Sequence, residues 1–235
     1  MWVPVDNQSV TLSRKDFSKE PIVSIGKNKV IDRIYYSEES RYSCLYKYEQ
    51  QESQYSIEYF KKSVKEYGGF YIARYETGVN IQETSDVQEE CKIQANLFPY
   101  INITRDEALN KSMEMYSTNQ DVVSSLVNSF AWDTALQFIN NTIPNYYSRT
   151  DNVNTGELKN TGKNNDMACN IYDLSGNVKE WSTEYSSNGY YSYLSSCVVR
   201  GGYYSNSNFT AASRYYNGED VKNEYIGFRI ILYIK

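Results

Sequence analysis

The chain contains no histidine. That absence removes the Ser-His-Asp triad, the Cys-His dyad and every histidine-held zinc or iron centre. Cysteine is scarce: Cys44, Cys91, Cys169 and Cys197 are scattered over 235 residues without a CxxC pair, so no disulfide framework is expected and the thiols read as reduced or buried. Basic charge is also short. With 24 Lys and Arg against 29 Asp and Glu the net charge is −5, which makes nucleic acid and anionic membrane poor partners. The longest strongly apolar stretch, residues 230–234, falls far below the roughly 18 residues of a membrane span. The opening MWVPVD has no basic stretch before an apolar run, so no signal peptide is expected and the chain reads as soluble. Cytoplasmic residence and display within a larger phage or cell-surface assembly both stay open, as does excision from a longer chain.

The length favours one large domain over residues 1–235, enough to bury a full core without metal or disulfide staples. Short strands are expected at residues 2–5 and 31–36. Ile57, Phe60, Val64 and Tyr67 then recur at helical spacing, and Gly68-Gly69 supplies a stop. In GGFYIARYETG, residues 68–78, Phe70, Ile72 and Arg74 alternate with Tyr71, Ala73 and Tyr75, the pattern of a half-buried strand. Thr104 and Glu107 have capping-box spacing ahead of Ala108, Leu109, Met113 and Tyr116. A third helix carries Trp132, Ala135, Leu136 and Ile139 on one stripe. Residues 144–166 have almost no large apolar side chains and are expected as a long surface loop. Strand-like runs follow at 197–200 and 227–234. A few central helices within turn-rich β structure argue an α+β fold.

Tyrosine is plentiful, at 25 residues. Eight crowd into residues 190–226, Tyr190, Tyr191, Tyr193, Tyr203, Tyr204, Tyr215, Tyr216 and Tyr225, amid serine and asparagine. A base-composition bias towards Asn, Ile, Lys and Tyr is one explanation. A binding face is the other, because tyrosine combines large area, few rotatable bonds and a polar tip, while serine and asparagine adapt their hydrogen bonds. If residues 203–209 form a strand, alternation buries about half of them. Arg200, Arg214 and Arg229 are expected to be structural, satisfying loop carbonyls.

The most specific stretch is NIYDLSGNVKEW, residues 170–181. Asp173 and Glu180 supply carboxylates, Gly176 and Asn177 permit a left-handed turn, and Trp181 anchors the end in the core. Such a turn suits either a hard oxygen-liganded cation such as calcium or hydrogen bonds alone.

This stretch, with GGFYIARYETG, the Trp132 helix, Val199-Arg200-Gly201-Gly202 and Gly227-Phe228-Arg229, resembles the formylglycine-generating-enzyme (sulfatase-modifying factor) family in order and spacing. The resemblance covers nearly the whole chain and implies a C-type-lectin-like fold of the formylglycine-generating subtype, low in regular secondary structure. It implies a structural calcium held by Asp173 and Glu180 side chains and the carbonyls of Leu174, Gly176 and Val178. The family's copper cysteines would stand at Asn206 and Ala211, so neither copper nor thiol oxidation is expected; the histidine-held iron of the related sulfoxide synthases is excluded too. A non-catalytic branch that looks similar is the variable proteins of diversity-generating retroelements, diversified between the Glu-Trp and the final Gly-Phe-Arg, here residues 182–226.

The resulting expectation is a ligand-binding protein whose face comprises Tyr190, Tyr191, Tyr193, Tyr203, Tyr204, Ser205, Asn206, Ser207, Asn208, Phe209, Tyr215, Tyr216, Asn217, Asn223 and Tyr225, with a protein or glycan as partner. A formylglycine-generating-type oxidoreductase and a carbohydrate-binding accessory domain are the alternatives.

Overall fold

Ser56 begins helix α1 (Ile57–Tyr67): its hydroxyl accepts from the Tyr59 N–H at 3.1 Å, and Gly68 ends it at φ 73° with its own N–H on Val64 O. Ile57, Phe60 and Val64 are buried. In helix α2 (Arg105–Glu114) the Thr104–Glu107 capping box closes in both directions, at 3.2 and 2.9 Å. Helix α3 (Ser129–Thr142) buries Trp132, Ala135, Leu136 and Ile139 as their spacing requires. Tyr67 and Tyr116 depart from the expected stripes, being 41% and 38% exposed. The first is the last residue of α1 and the second lies beyond α2, where the stripe has run off the core.

The computed structural model describes residues 1–17, 22–24, 53–80, 90–143, 147–149, 156–185, 197–205 and 208–235. The strand expected at residues 31–36 lies outside them. Two four-stranded sheets organise the described chain. The first is antiparallel, in the order Trp2–Pro4, Gly69–Ile72, Ile230–Ile234, Val122–Leu126. The second runs Arg214–Asn217, Cys197–Arg200, Lys179–Tyr185, Ile226–Phe228, with the last pair parallel. Helices α1 and α3 pack on the first sheet around Phe60, Phe70, Trp132 and Ile231, whereas α2 shares a second apolar cluster with Trp181, Val199 and Phe228. Helix and sheet are therefore mixed within an α+β fold. Arg229 is the residue at which the chain passes from one sheet to the other.

The strand expected across residues 68–78 stops at Ile72, and Gly78–Val79 forms a separate short ladder. The expected surface loop 144–166 is partly interior: Tyr147, Ser148, Thr161, Asn164 and Asp166 are all buried. Composition misleads there because hydrogen bonds satisfy polar groups such as Ser148 and Thr161, Asn140 Nδ2 donating to Ser148 Oγ at 2.7 Å and Thr161 Oγ1 to Gln94 O at 2.6 Å, although the Asn164 amide has no partner among the described residues. Cys169 is a free thiol and so does not bridge to Cys197. No helix among the described residues is long and apolar enough to cross a membrane.

Candidate functional site

The turn of residues 173–178 is left-handed at Asp173 (φ 63°) and Asn177 (φ 58°), not at Gly176. Short polar side chains tolerate that region, and both are locked by hydrogen bonds. The Gly201-Gly202 pair explains itself here. A Cβ on Gly202 would stand 2.0 Å from Ser175 O and one on Gly201 2.6 Å from Leu174 O, so backbone lies directly on backbone.

Behind the turn four carboxylates gather, and one guanidinium pairs with Glu180 and lends its charge to Glu76 and Asp173. Arg229 forks onto Glu180, with Nε 2.9 Å from Oε2 and Nη2 2.7 Å from Oε1, and also donates to Ala73 O and Tyr172 O. Glu76 accepts from Asn177 Nδ2 at 2.6 Å and the Val178 N–H at 3.1 Å. Asp166 accepts from Tyr147 OH at 2.5 Å and from Ser175 N–H and Oγ. Asp173 Oδ2 accepts from the Gly162 N–H at 2.7 Å, while its Oδ1 is buried without a hydrogen-bond partner among the described residues. Burial, then the Asp173 and Glu180 charges, push Glu76 well above the carboxylate range. Burial likewise raises Asp173 to about 7, helped by the Asp166 and Glu180 charges and opposed by the Gly162 N–H and Arg229.

Among the described residues no three acidic or sulfur ligands form a ready-made metal cluster. The donor chemistry still suits a hard cation in part, because Asp173 Oδ1 is unclaimed and carboxylates outnumber guanidinium. Both Glu180 oxygens are engaged by Arg229, and the Leu174 carbonyl lies against Gly201.

On the opposite side of the strand from Glu180, Lys179 points among aromatic rings. Its Nζ lies 3.8 Å from the Phe209 ring centre, 4.3 Å from Tyr203, 4.5 Å from Tyr215 and 5.7 Å from Tyr225. The rings pack on one another, Tyr203 and Tyr225 at 4.9 Å and Phe209 and Tyr215 at 5.7 Å. Burial lowers the Lys179 ammonium to about 8. Asn177 couples the two centres, since its carbonyl accepts from the Tyr204 N–H at 2.9 Å.

Tyr203, Tyr204, Phe209, Asn217, Asn223 and Tyr225 are half-buried, and Ser205, Asn208 and Tyr215 exposed. Among the described residues of 203–209 the expected burial of half by strand alternation does not occur: Tyr203 is an isolated bridge, Tyr204, Ser205 and Asn208 are turn, and these and Phe209 all keep access to solvent. Tyr190, Tyr191, Tyr193, Asn206, Ser207 and the side chain of Tyr216 lie outside the described residues. Ala211 is wholly buried, and its carbonyl accepts from Trp132 Nε1 at 2.8 Å. Arg229 meets two carbonyls as expected, but Arg200 and Arg214 chiefly meet carboxylates, each binding both Asp133 and Glu184.

Sequence reasoning missed Glu76, Asp166, Asp133 and Lys179. Glu76 carried a usable signal, falling on the even register of Phe70 and Ile72 in a strand-like run. Lys179 carried none, because its ring partners come from three separate stretches of chain.

No curated protein sequence matches the chain. The crystal structure of CarF is similar at 15% identity and a TM-score of 0.47, over 70% of this chain and 76% of that one. A model of the sulfatase-modifying factor enzyme 1-like domain matches residues 51–234, and the chain belongs to that family.

Proposed function

We propose that this family scaffold serves here as a non-catalytic binding protein of C-type-lectin-like form, presenting the tyrosine, serine and asparagine surface of residues 203–225 to a protein or glycan ligand. One observation carries the reading: the ring residues Tyr203, Tyr204, Phe209, Tyr215 and Tyr225 all retain solvent access on one face. Rigid aromatics with polar tips on such a face make good anchors. Asn206 and Ala211 stand where the resemblance puts copper-binding cysteines, which supports a binding rather than an oxidising role. In its sharpest form the protein is a retroelement-diversified variable protein, with residues 182–226 as the varied segment.

Calcium belongs to the same reading. Asp173 and Glu180 with the carbonyls of Leu174, Gly176 and Val178 would hold it, and the ion would offset the carboxylate surplus and fix the turn beneath Gly201-Gly202.

The test has two arms. Incubation with copper and a sulfatase-type cysteine peptide is expected to give no aldehyde by mass spectrometry; aldehyde would overturn the non-catalytic reading. Flanking DNA is expected to hold a reverse transcriptase and a near-copy of the 3′ coding segment differing at adenines; an intact locus without them removes the retroelement form and leaves plain ligand binding.

A further inference from the structure

Several buried cations in this fold are answered by oxygen. Arg200 meets Asp133 and Glu184, Arg229 meets Glu180 and two carbonyls, and Lys15 Nζ donates to Thr11 and Ser13 hydroxyls at 3.1 and 2.8 Å. Lys179 differs. Its residue is 3% exposed, yet among the described residues its ammonium makes no hydrogen bond or ion pair and lies over the faces of Phe209, Tyr203, Tyr215 and Tyr225. An ammonium carries three N–H donors. Ring faces attract its charge but are poor substitutes for oxygen acceptors. The strand's need of Lys179 is met by its backbone, whose N–H donates to Tyr225 O at 2.9 Å.

The rings that enclose the ammonium keep some access to solvent: Tyr215 is 43% exposed, Tyr203, Phe209 and Tyr225 are half-buried, and Ser205 and Asn208 are exposed. A group entering between them meets flat apolar walls and, beneath, a cation lacking oxygen contacts. A second cation is disfavoured because Lys179 already occupies the ring faces. A neutral body gains the walls but leaves the N–H donors unanswered.

We propose that Lys179 anchors the ligand through a carboxylate, carried on a flat apolar body that lies against Tyr203, Phe209, Tyr215 and Tyr225. This deepens the ligand-face reading and rests on it. The anchor's chemistry is an ammonium–carboxylate pair with charge-assisted hydrogen bonds in a partly desolvated site, where such bonds are strongest.

Benzoate, benzamide and benzylammonium test it, being close in shape and different in charge. Each is titrated into protein labelled with 13C at lysine and tyrosine, and the Lys179 signal is identified by its loss in Lys179→Met. Benzoate is expected to move the Lys179 side-chain signal together with tyrosine ring signals, and to bind about tenfold or more tightly than benzamide. Lys179→Met should abolish that preference and Lys179→Arg retain part of it. Should Lys179→Met fail to fold, Lys179→Arg identifies the signal and the three-probe comparison on the unaltered chain decides. If benzamide or benzylammonium equals benzoate, or benzoate shifts only other lysines, the carboxylate anchor is wrong and the ligand face stands. If no probe moves a ring signal, both readings fall.

Discussion

Arg229 and Glu180 form a buried fork, Nε to Oε2 at 2.9 Å and Nη2 to Oε1 at 2.7 Å, at the residue where the chain changes sheets. Removing one partner of a buried pair typically costs about 3–5 kcal/mol because the other is left uncompensated. The two partners should not be equivalent. Arg229→Met strands Glu180 among Glu76, Asp166 and Asp173, whereas Glu180→Gln also removes a negative charge that opposes Glu76. Urea denaturation should therefore show the larger loss for Arg229→Met; the reverse order would contradict shared neutralisation by one guanidinium.

Stability in chelator should fall as pH rises. Asp173 moves from 3.8 to about 7 on folding, so between those values the folded chain binds more protons than the unfolded chain. Its stabilising contribution is complete below the unfolded value and is lost as pH passes through the folded one. Melting followed from pH 4 to pH 8 should show that decline, on the order of a few kcal/mol, with Asp173→Asn reducing it and the raised Glu76 and Glu180 carboxyls leaving a remainder. A flat profile for the unaltered chain would contradict the buried-carboxylate account. Calcium, if held, should raise the melting temperature of the unaltered chain and not that of Asp173→Ala.

Lys179→Met should not destabilise the protein. Burial lowers the ammonium from 10.5 to about 8, an unfavourable contribution that solvent screening reduces, and the ring contacts offset about 1–2 kcal/mol of it. The net expectation is equal stability or a gain of about 1 kcal/mol, measured by denaturation at neutral pH. A loss above about 2 kcal/mol would mark Lys179 as a structural anchor instead.

Gly202→Ala should be among the most damaging small substitutions. Its new Cβ would meet Ser175 O at 2.0 Å, and backbone on both sides cannot yield cheaply. Gly68→Ala has open space and only the cost of its φ of 73°, about 1 kcal/mol. Thermal melting should separate them clearly, and equal effects would contradict the close packing of Gly201-Gly202 on the turn.

The legible parts of this fold were those written locally. Ser56 with Gly68, the Thr104–Glu107 box and the Trp132 stripe each declare themselves within a few residues, and each formed as its spacing requires. Asp173 and Glu180 were visible as carboxylates of one turn. Their surroundings were not, because Glu76, Asp166 and Arg229 reach the turn from distant segments. Tyr147 and Asp166 look like surface polarity until their mutual hydrogen bond is seen. The cage around Lys179 is less legible still: only tertiary closure gathers Tyr203, Phe209, Tyr215 and Tyr225 about one ammonium.

A crystallographic fragment screen of the unaltered chain tests the ligand face most directly. Bound fragments should concentrate against Tyr203, Phe209, Tyr215 and Tyr225, with carboxylate-bearing ones directed at Lys179. Fragments that settle elsewhere and leave those rings bare would contradict the account.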